Sequence, residues 1–432
     1  MAGVLPAGID YRISYSGLGE SEERSKSMLV VQKYGGSSVA DAGRIRRVAR
    51  RVADVRDAGD EVVVVVSAMG DTTDDLITLM NEVTDCPRER EMDMLLATGE
   101  QVSIALLAMA VHELGLPVIS LTGQQVGILT DDTHTKARII DIRTKRLQAE
   151  LAAGKVVVVA GFQGVNSAND ITTLGRGGSD TSAVALAAAL SADLCEIYTD
   201  VDGVYTADPR LVPDAKKLPY ILYDEMLELA HLGAVVLHPR AVECAKLHGI
   251  PVHVRSSFNL NLGTIVREAG ETERPNVVTG VAHDVNVARI AIFDVFDRPG
   301  VAHHIFEELA DSGVNVDMIV QSAMRDGIND IAFTVSKAEV KKAVAVIDRI
   351  KDDVGSGGFA ADDDVAKVSV VGAGMISHPG VAAHVFGALA DAGINIEMIS
   401  TSEIGISCVV KASEAPRAVL ALHGRFRPPA AG

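Results

Sequence analysis

A lysine followed by glycines is the first pattern in the chain that could do chemistry. Lys33-Tyr34-Gly35-Gly36-Ser37-Ser38 follows a β-branched run and precedes a segment in which Ile45, Val48, Ala49, Val52 and Val55 recur at helical spacing. A glycine turn between strand and helix exposes backbone N–H groups at the helix's positive end, where a phosphate is well accommodated. On its own the hexapeptide is equally compatible with a tight turn and a solvated lysine, and no G-x-x-x-x-G-K-[ST] sequence makes it a P-loop. A second stretch, Thr172-Thr173-Leu174-Gly175-Arg176-Gly177-Gly178-Ser179-Asp180, joins glycines, an arginine and an aspartate ahead of the alanine-rich residues 183–192. Glycines permit close backbone approach, and an arginine can grip a carboxylate through two parallel hydrogen bonds. A third runs from Thr199-Asp200 through Asp202-Gly203 and Tyr205 to Asp208-Pro209-Arg210. A plain Asp-Gly turn accounts for Asp202-Gly203 but not for Tyr205 or Arg210.

The elements that must position these residues are short β-branched runs, at 29–32, 62–67, 156–160, 196–199 and 252–255, alternating with helical patterns. That alternation predicts an α/β fold with a mostly parallel sheet sandwiched by helices, and such sheets bind ligands beyond the carboxyl ends of their strands. The turns Tyr-Gly-Gly-Ser-Ser, Ala-Met-Gly-Asp-Thr-Thr, Gly-Phe-Gln-Gly and Asp-Val-Asp-Gly each lie beside one of the first four runs, so they are expected to gather at one edge. Arginines of the helix 44–56 fall largely opposite its apolar stripe and read as a solvated face.

Beyond about residue 264 the pattern changes. At an offset of 80 residues, 299–319 aligns with 379–399, and thirteen of 21 positions are identical. Each copy reads as strand, Pro-Gly turn, amphipathic helix and strand, a small α+β module present twice, with the acidic, Gly-rich stretch 352–364 separating the copies. The composition agrees with an aliphatic α/β interior: 432 residues, 48 % hydrophobic, 39 glycines and 4 % aromatics. A balance of 40 basic against 58 acidic residues, net −18, argues against nucleic acid and anionic membranes as partners. Cys86, Cys195, Cys244 and Cys408 lie far apart, suggesting neither a zinc site nor a disulfide framework, and a reduced cytoplasmic compartment is expected. No stretch reads as a transmembrane helix, and the polar residues 1–27 read as a disordered, dispensable extension.

Taken together, Lys-Tyr-Gly-Gly-Ser-Ser, Val-Ser-Ala-Met-Gly-Asp-Thr-Thr, Thr-Gly-Glu at 98–100, Thr-Thr-Leu-Gly-Arg-Gly-Gly-Ser-Asp and Thr-Asp-Val-Asp-Gly-Val-Tyr-Thr-Ala-Asp-Pro-Arg closely resemble the aspartate kinases of the amino acid kinase superfamily. The resemblance covers about residues 29–425, and the twin modules look like the paired ACT domains of bacterial aspartate kinases. It implies a catalytic domain over 28–265 with the amino acid kinase fold. Two ferredoxin-type ACT-like modules would follow over 276–350 and 363–427, with strands that can be exchanged between them.

The resemblance also implies roles. Lys33 contacts the transferring phosphoryl group of ATP, Asp180 helps hold the lysine, and Gly35, Gly36 and Ser37 form the surrounding loop. Arg176 clamps the α-carboxylate of L-aspartate and Glu100 binds its α-ammonium, with Thr73 and Ser179 close by. Thr199, Asp200, Tyr205 and Arg210 surround the nucleotide, and Mg²⁺ rides on its phosphates. Asp297, Gly300, Asn315, Gln321, Asn395, Ser402 and Glu403 match positions that line the effector sites for lysine and threonine. ACT modules commonly pair between chains, so a homo-oligomer is implied. The chain departs from the family at Val235, where a lysine is usual, and at Gln101, Ala382, Ser322 and Gly405. These departures leave open a kinase of another amino-acid carboxylate or a non-catalytic sensing subunit.

Overall fold

The computed structural model describes residues 27–234, 236–269 and 277–427. Two sequence expectations therefore fall outside it: Val235, and all but the last residue of the extension expected over residues 1–27. The described chain divides into two compact units, one built from residues up to 204 with 218–226 and 235–270, the other from 205–217, 227–234 and the remainder of the chain.

The first unit contains strands β1 (Leu29–Tyr34), β2 (Glu61–Val66), β3 (Val118–Leu121), β4 (Ile128–Thr130), β5 (Ile139–Ile142), β6 (Val156–Ala160), β7 (Gln163–Val165), β8 (Ile171–Thr173), β9 (Leu194–Thr199), β10 (Tyr220–Leu222), β11 (Val252–Ser256) and β12 (Thr264–Arg267). Eight of them form one sheet in the order β10-β12-β11-β9-β1-β2-β6-β3. Every pairing in it is parallel except β11 with β12.

Five consecutive valines in β2 are fully buried, as a strand covered on both faces requires. Val62, Val64 and Val66 share a core with Ile45, Val48, Val52 and Val55 of helix Ala42–Asp57 and with Ile104, Leu107 and Val111 of helix Thr98–Glu113. Helix Gly178–Leu190 packs on β1 and β2. Each valine so covered contributes about 1.5–3 kcal/mol relative to an exposed one. Tyr34 is level with Val66 of β2 and Tyr198 of β9, and Val66 with Ala160 of β6, so four adjacent strands end at one height. The small sheet β5-β4-β7-β8 carries the chain onward into the Gly175–Gly178 turn.

One sequence expectation needs correcting. Counted through the junction at Ala97, helical residues Glu89–Glu113 form a run of 25 that is long and apolar enough to cross a membrane by length and composition. Its Leu96, Ile104, Leu107 and Val111 are buried in the protein core, together with the carboxylates Asp93 and Glu100. Those contacts bury one face of it in the core, while Met94, Val102, Leu106 and Met109 remain exposed.

The second unit has one sheet, ordered β14-β15-β13-β16-β18-β17, from β13 (Gly280–Phe296), β14 (Ile319–Gln321), β15 (Ile328–Ser336), β16 (Gly358–Val371), β17 (Met398–Thr401) and β18 (Gly405–Lys411). The two repeats share their long strands. Residues 287–296 of β13 pair with β15, while residues 280–284 pair with the carboxyl half of β16 beside β18. Accordingly Ile290 and Ile292 enter the core of the first repeat, and Val278 and Val281 that of the second. The acidic stretch 352–364 is therefore not only a separator: from Gly358 it is strand, paired with β13. Phe359 packs against the first core, and Arg289 faces Asp362 at 3.7 Å. Reciprocal ion pairs also join the repeats, Arg289 to Glu397 at 2.9 Å and the buried Lys367 to Asp317.

Candidate active site

The strand ends at the level of Tyr34 are where the sequence motifs converge. Lys33, at the end of β1, places its ammonium Nζ 2.6 Å from Oδ1 of Asp180, which lies in the first turn of helix Gly178–Leu190. Both side chains are 12 % exposed, enough to be reached from the cleft and sheltered enough for the pair to be weakly screened. Gly35 donates its N–H to the carbonyl of Tyr198 at 3.3 Å, tying the glycine turn to the end of β9. Gly36 is required by close approach: a Cβ there would lie 2.9 Å from the Ala68 carbonyl oxygen and 3.0 Å from that of Gly70. Gly70 N–H in turn donates to Gly36 C=O at 3.1 Å, so the turns after β1 and β2 lie against each other. Ser37 is exposed at the surface of that loop, its carbonyl accepting from Arg44.

Glu100 stands in the first turn of helix Thr98–Glu113 and is buried. Its Oε1 accepts the Ala68 N–H at 3.0 Å, and its Oε2 has no hydrogen-bond partner among the described residues. Burial pushes its carboxyl up to about 7, against the opposing pull of backbone N–H groups. A buried carboxylate with one oxygen unclaimed is suited to a cationic guest. Thr73 is half-buried at the start of helix Thr72–Val83. Ser179 is buried beside Gly161, where a Cβ would meet its Oγ at 2.8 Å. Arg176 is exposed at the tip of the Gly175–Gly178 turn, and no carboxylate among the described residues pairs with it.

Lys33, Gly35, Gly36, Glu100, Ser179 and Asp180 thus belong to one connected cluster. Thr199 and Asp200 follow Tyr198 directly, the Thr199 hydroxyl donating to the exposed Asp200 carboxylate at 2.9 Å. Tyr205 and Arg210 fall in the second unit instead. There Tyr205 bridges to Lys217, and Arg210 forks onto Asp208, whose carboxyl it holds below the usual range. The effector-position residues form two groups. Asp297, Gly300, Asn315 and Gln321 lie around the first repeat helix and β14; Asn395, Ser402 and Glu403 flank β17. Gly300 caps its helix at φ 95°, and Ser402 donates to Glu228 at 3.0 Å.

A polar network beneath Lys33 escaped the sequence reading. Glu196 of β9 is fully buried and accepts from Gln32 of β1 at 2.8 Å, Tyr198 at 3.1 Å and Arg255 of β11 at 3.2 Å, with His253 at 3.6 Å. Burial opposes its ionisation, but His253, Arg255 and Gln32 outweigh that and hold it far below the ordinary carboxylate range. The Tyr34 and Tyr198 rings stack above it, centroids 4.6 Å apart. The strands carrying Lys33 and Thr199 are thereby locked together. The available signal was Gln32, Glu196, His253 and Arg255 standing inside three strand runs.

The amino acid kinase family matches residues 28–256, and ACT domains match 283–355 and 368–426. The aspartokinase of Mycolicibacterium smegmatis is 53 % identical over 403 residues, spanning 92 % of this chain and 96 % of that one. The chain belongs to the aspartokinase family. Solved aspartokinases share its architecture. E. coli aspartokinase III in complex with aspartate and ADP (R-state) is 26 % identical with a TM-score of 0.79, over 92 % of this chain and all of that one (100 %). The same E. coli enzyme in complex with lysine and aspartate (T-state) is 27 % identical with a TM-score of 0.71, over 92 % and 99 %.

Proposed function

We propose that the chain transfers the γ-phosphoryl group of ATP to the β-carboxylate of L-aspartate, giving aspartyl phosphate and ADP. The observation that carries this reading is the Lys33–Asp180 pair at 2.6 Å, set among glycine turns and beside the buried Glu100. An aspartate carboxylate is ionised at neutral pH and needs no general base. Its oxygen forms the new P–O bond while the bond to the β-phosphate oxygen breaks, and ADP leaves with that electron pair. No proton moves.

What remains for the protein is placement of two anions and neutralisation of spreading charge. Lys33 faces the transferring group, Asp180 orients the lysine, and the Gly35-Gly36-Ser37 turn supplies backbone N–H groups. Glu100 receives the α-ammonium, Arg176 grips the α-carboxylate, and Thr73 and Ser179 complete the aspartate subsite. Thr199 and Asp200 serve the nucleotide. Mg²⁺ enters on the nucleotide's phosphates as part of that substrate, supplying positive charge. The repeats bind lysine and threonine through Asp297, Gly300, Asn315, Gln321, Asn395, Ser402 and Glu403, and pair between copies of the chain in a cytoplasmic homo-oligomer.

The test is ATP-dependent acyl phosphate formation, trapped with hydroxylamine, across aspartate, glutamate and their amides. Hydroxamate from aspartate alone is the expected result. Equal yield from glutamate would reassign the substrate, and none from any amino acid would leave a sensing protein.

A further inference from the structure

Asp93 lies in helix Glu89–Leu96, just ahead of the helix that carries Glu100, and is fully buried. A carboxylate so placed must be satisfied, and no lysine or arginine among the described residues pairs with it. Three groups from elsewhere in the chain donate to it instead: His134 Nδ1 at 2.7 Å, the Thr135 N–H at 3.1 Å and the Thr173 hydroxyl at 2.5 Å. None of these touches the Lys33–Asp180 pair, so the phosphoryl-transfer chemistry does not account for them.

Their destination is the turn bearing Arg176. Thr135 is a β-branched residue at φ 64°, a conformation that such residues rarely adopt and that the Asp93 bond holds in place. Its carbonyl then packs against Gly175, where a Cβ would lie only 2.9 Å from that oxygen. Ala137 N–H donates to Thr173 C=O at 2.9 Å, and Arg240 donates to Leu174 C=O at 2.7 Å and Ala137 C=O at 2.9 Å. Residues 134–137 and 173–175 are thus bound into one block, with the Asp93 carboxyl group at its centre and Arg176 as the first residue beyond it.

We infer that Asp93, through His134, Thr135 and Thr173, is a positioning residue for aspartate recognition, fixing the turn from which Arg176 reaches the substrate. The inference rests on the reading of Arg176 as the aspartate clamp. Because Asp93 and Glu100 sit on successive helices, the two charged groups on the α-carbon of the amino acid are gauged from one stretch of chain. A misplacement of about 1 Å in such a clamp weakens use of its own substrate without altering the nucleotide subsite.

The experiment compares Asp93→Asn, Thr173→Val, Thr173→Ser and Arg176→Lys in the full chain, measuring kcat, both KM values and melting temperature. Asp93→Asn and Thr173→Val should raise the aspartate KM by about tenfold or more while the ATP KM stays within about twofold. Thr173→Ser, which keeps the hydroxyl, should restore it. A purely structural role would lower stability and move both KM values together in Asp93→Asn and Thr173→Val, which would overturn the inference. So would an unchanged aspartate KM in those variants alongside a raised one in Arg176→Lys. If Arg176→Lys leaves the aspartate KM unmoved, the clamp reading itself fails.

Discussion

At the scale of single residues, the site depends on two carboxylates whose environments differ. Asp180 is paired with Lys33 at 2.6 Å, whereas Glu100 has no cationic partner and is pushed up to about 7 by burial with only backbone N–H groups to oppose it. Only ionised Glu100 can pair with an ammonium. The aspartate KM should therefore fall as pH rises through about 7, with proton release on binding, and Glu100→Gln should both raise the KM and flatten that profile. Because its folded value exceeds its ordinary one of 4.5, this group favours folding at low pH and loses that contribution as pH rises through about 7. Initial rates at fixed ATP across that range check the prediction; a KM profile that survives Glu100→Gln would assign the titration elsewhere. Residues of this kind were legible where a motif is local, as in Lys33 to Ser37. Asp93 was not, because its partners His134 and Thr173 lie 41 and 80 residues away, and only the folded chain joins them.

At the scale of elements, parallel strands ending level at Tyr34, Val66, Ala160 and Tyr198 bring four turns together. The sequence showed the strands through their β-branched runs and placed their turns at one edge, but not the Gly36–Gly70 backbone contact that joins two of them. Gly36 makes the contact strict, since both atoms a Cβ would strike are backbone carbonyls that cannot swing aside. Gly36→Ala should lower kcat by about a hundredfold, the scale of one misplaced transition-state contact, with a melting temperature lowered by only a few degrees. Near-normal turnover in this variant would mean that the phosphate turn does not need that approach. The resemblance implied strands exchanged between the repeats, but not which residues carry the exchange. Residues 358–364 read as an acidic linker, yet strand pairing uses backbone groups and leaves such carboxylates in solvent.

For the whole molecule, the duplicated modules predict effector control, and the departures from the family predict that it is weak. Ser322, where an asparagine is usual, spends its hydroxyl accepting from Asp330 N–H at 2.9 Å. Ala382 packs against the core of the second repeat and offers no hydroxyl. At Gly405 the space an arginine would enter is already held by Glu228, whose Oε1 would lie 2.5 Å from a Cβ there. Losing one hydrogen bond to a charged ligand costs roughly 1.5–3 kcal/mol, about tenfold or more in affinity. Lysine and threonine together should thus inhibit feebly, and Ala382→Thr with Gly405→Arg should strengthen inhibition. The arginine would displace the flexible Glu228 side chain and pair with it. Titrating both effectors at fixed aspartate and ATP decides the matter, and strong concerted inhibition of the unaltered chain at sub-millimolar effector would refute it.

We propose above all that the ammonium of Lys33, held by Asp180 at the mouth of the parallel sheet, neutralises charge on a phosphoryl group passing to aspartate. The most direct test is kcat for aspartyl hydroxamate formation by Lys33→Ala beside the unaltered chain, with melting temperatures measured on both. The account predicts a loss on the order of 10² or more in kcat with folding retained; a folded Lys33→Ala protein that turns over at the unaltered rate would contradict it.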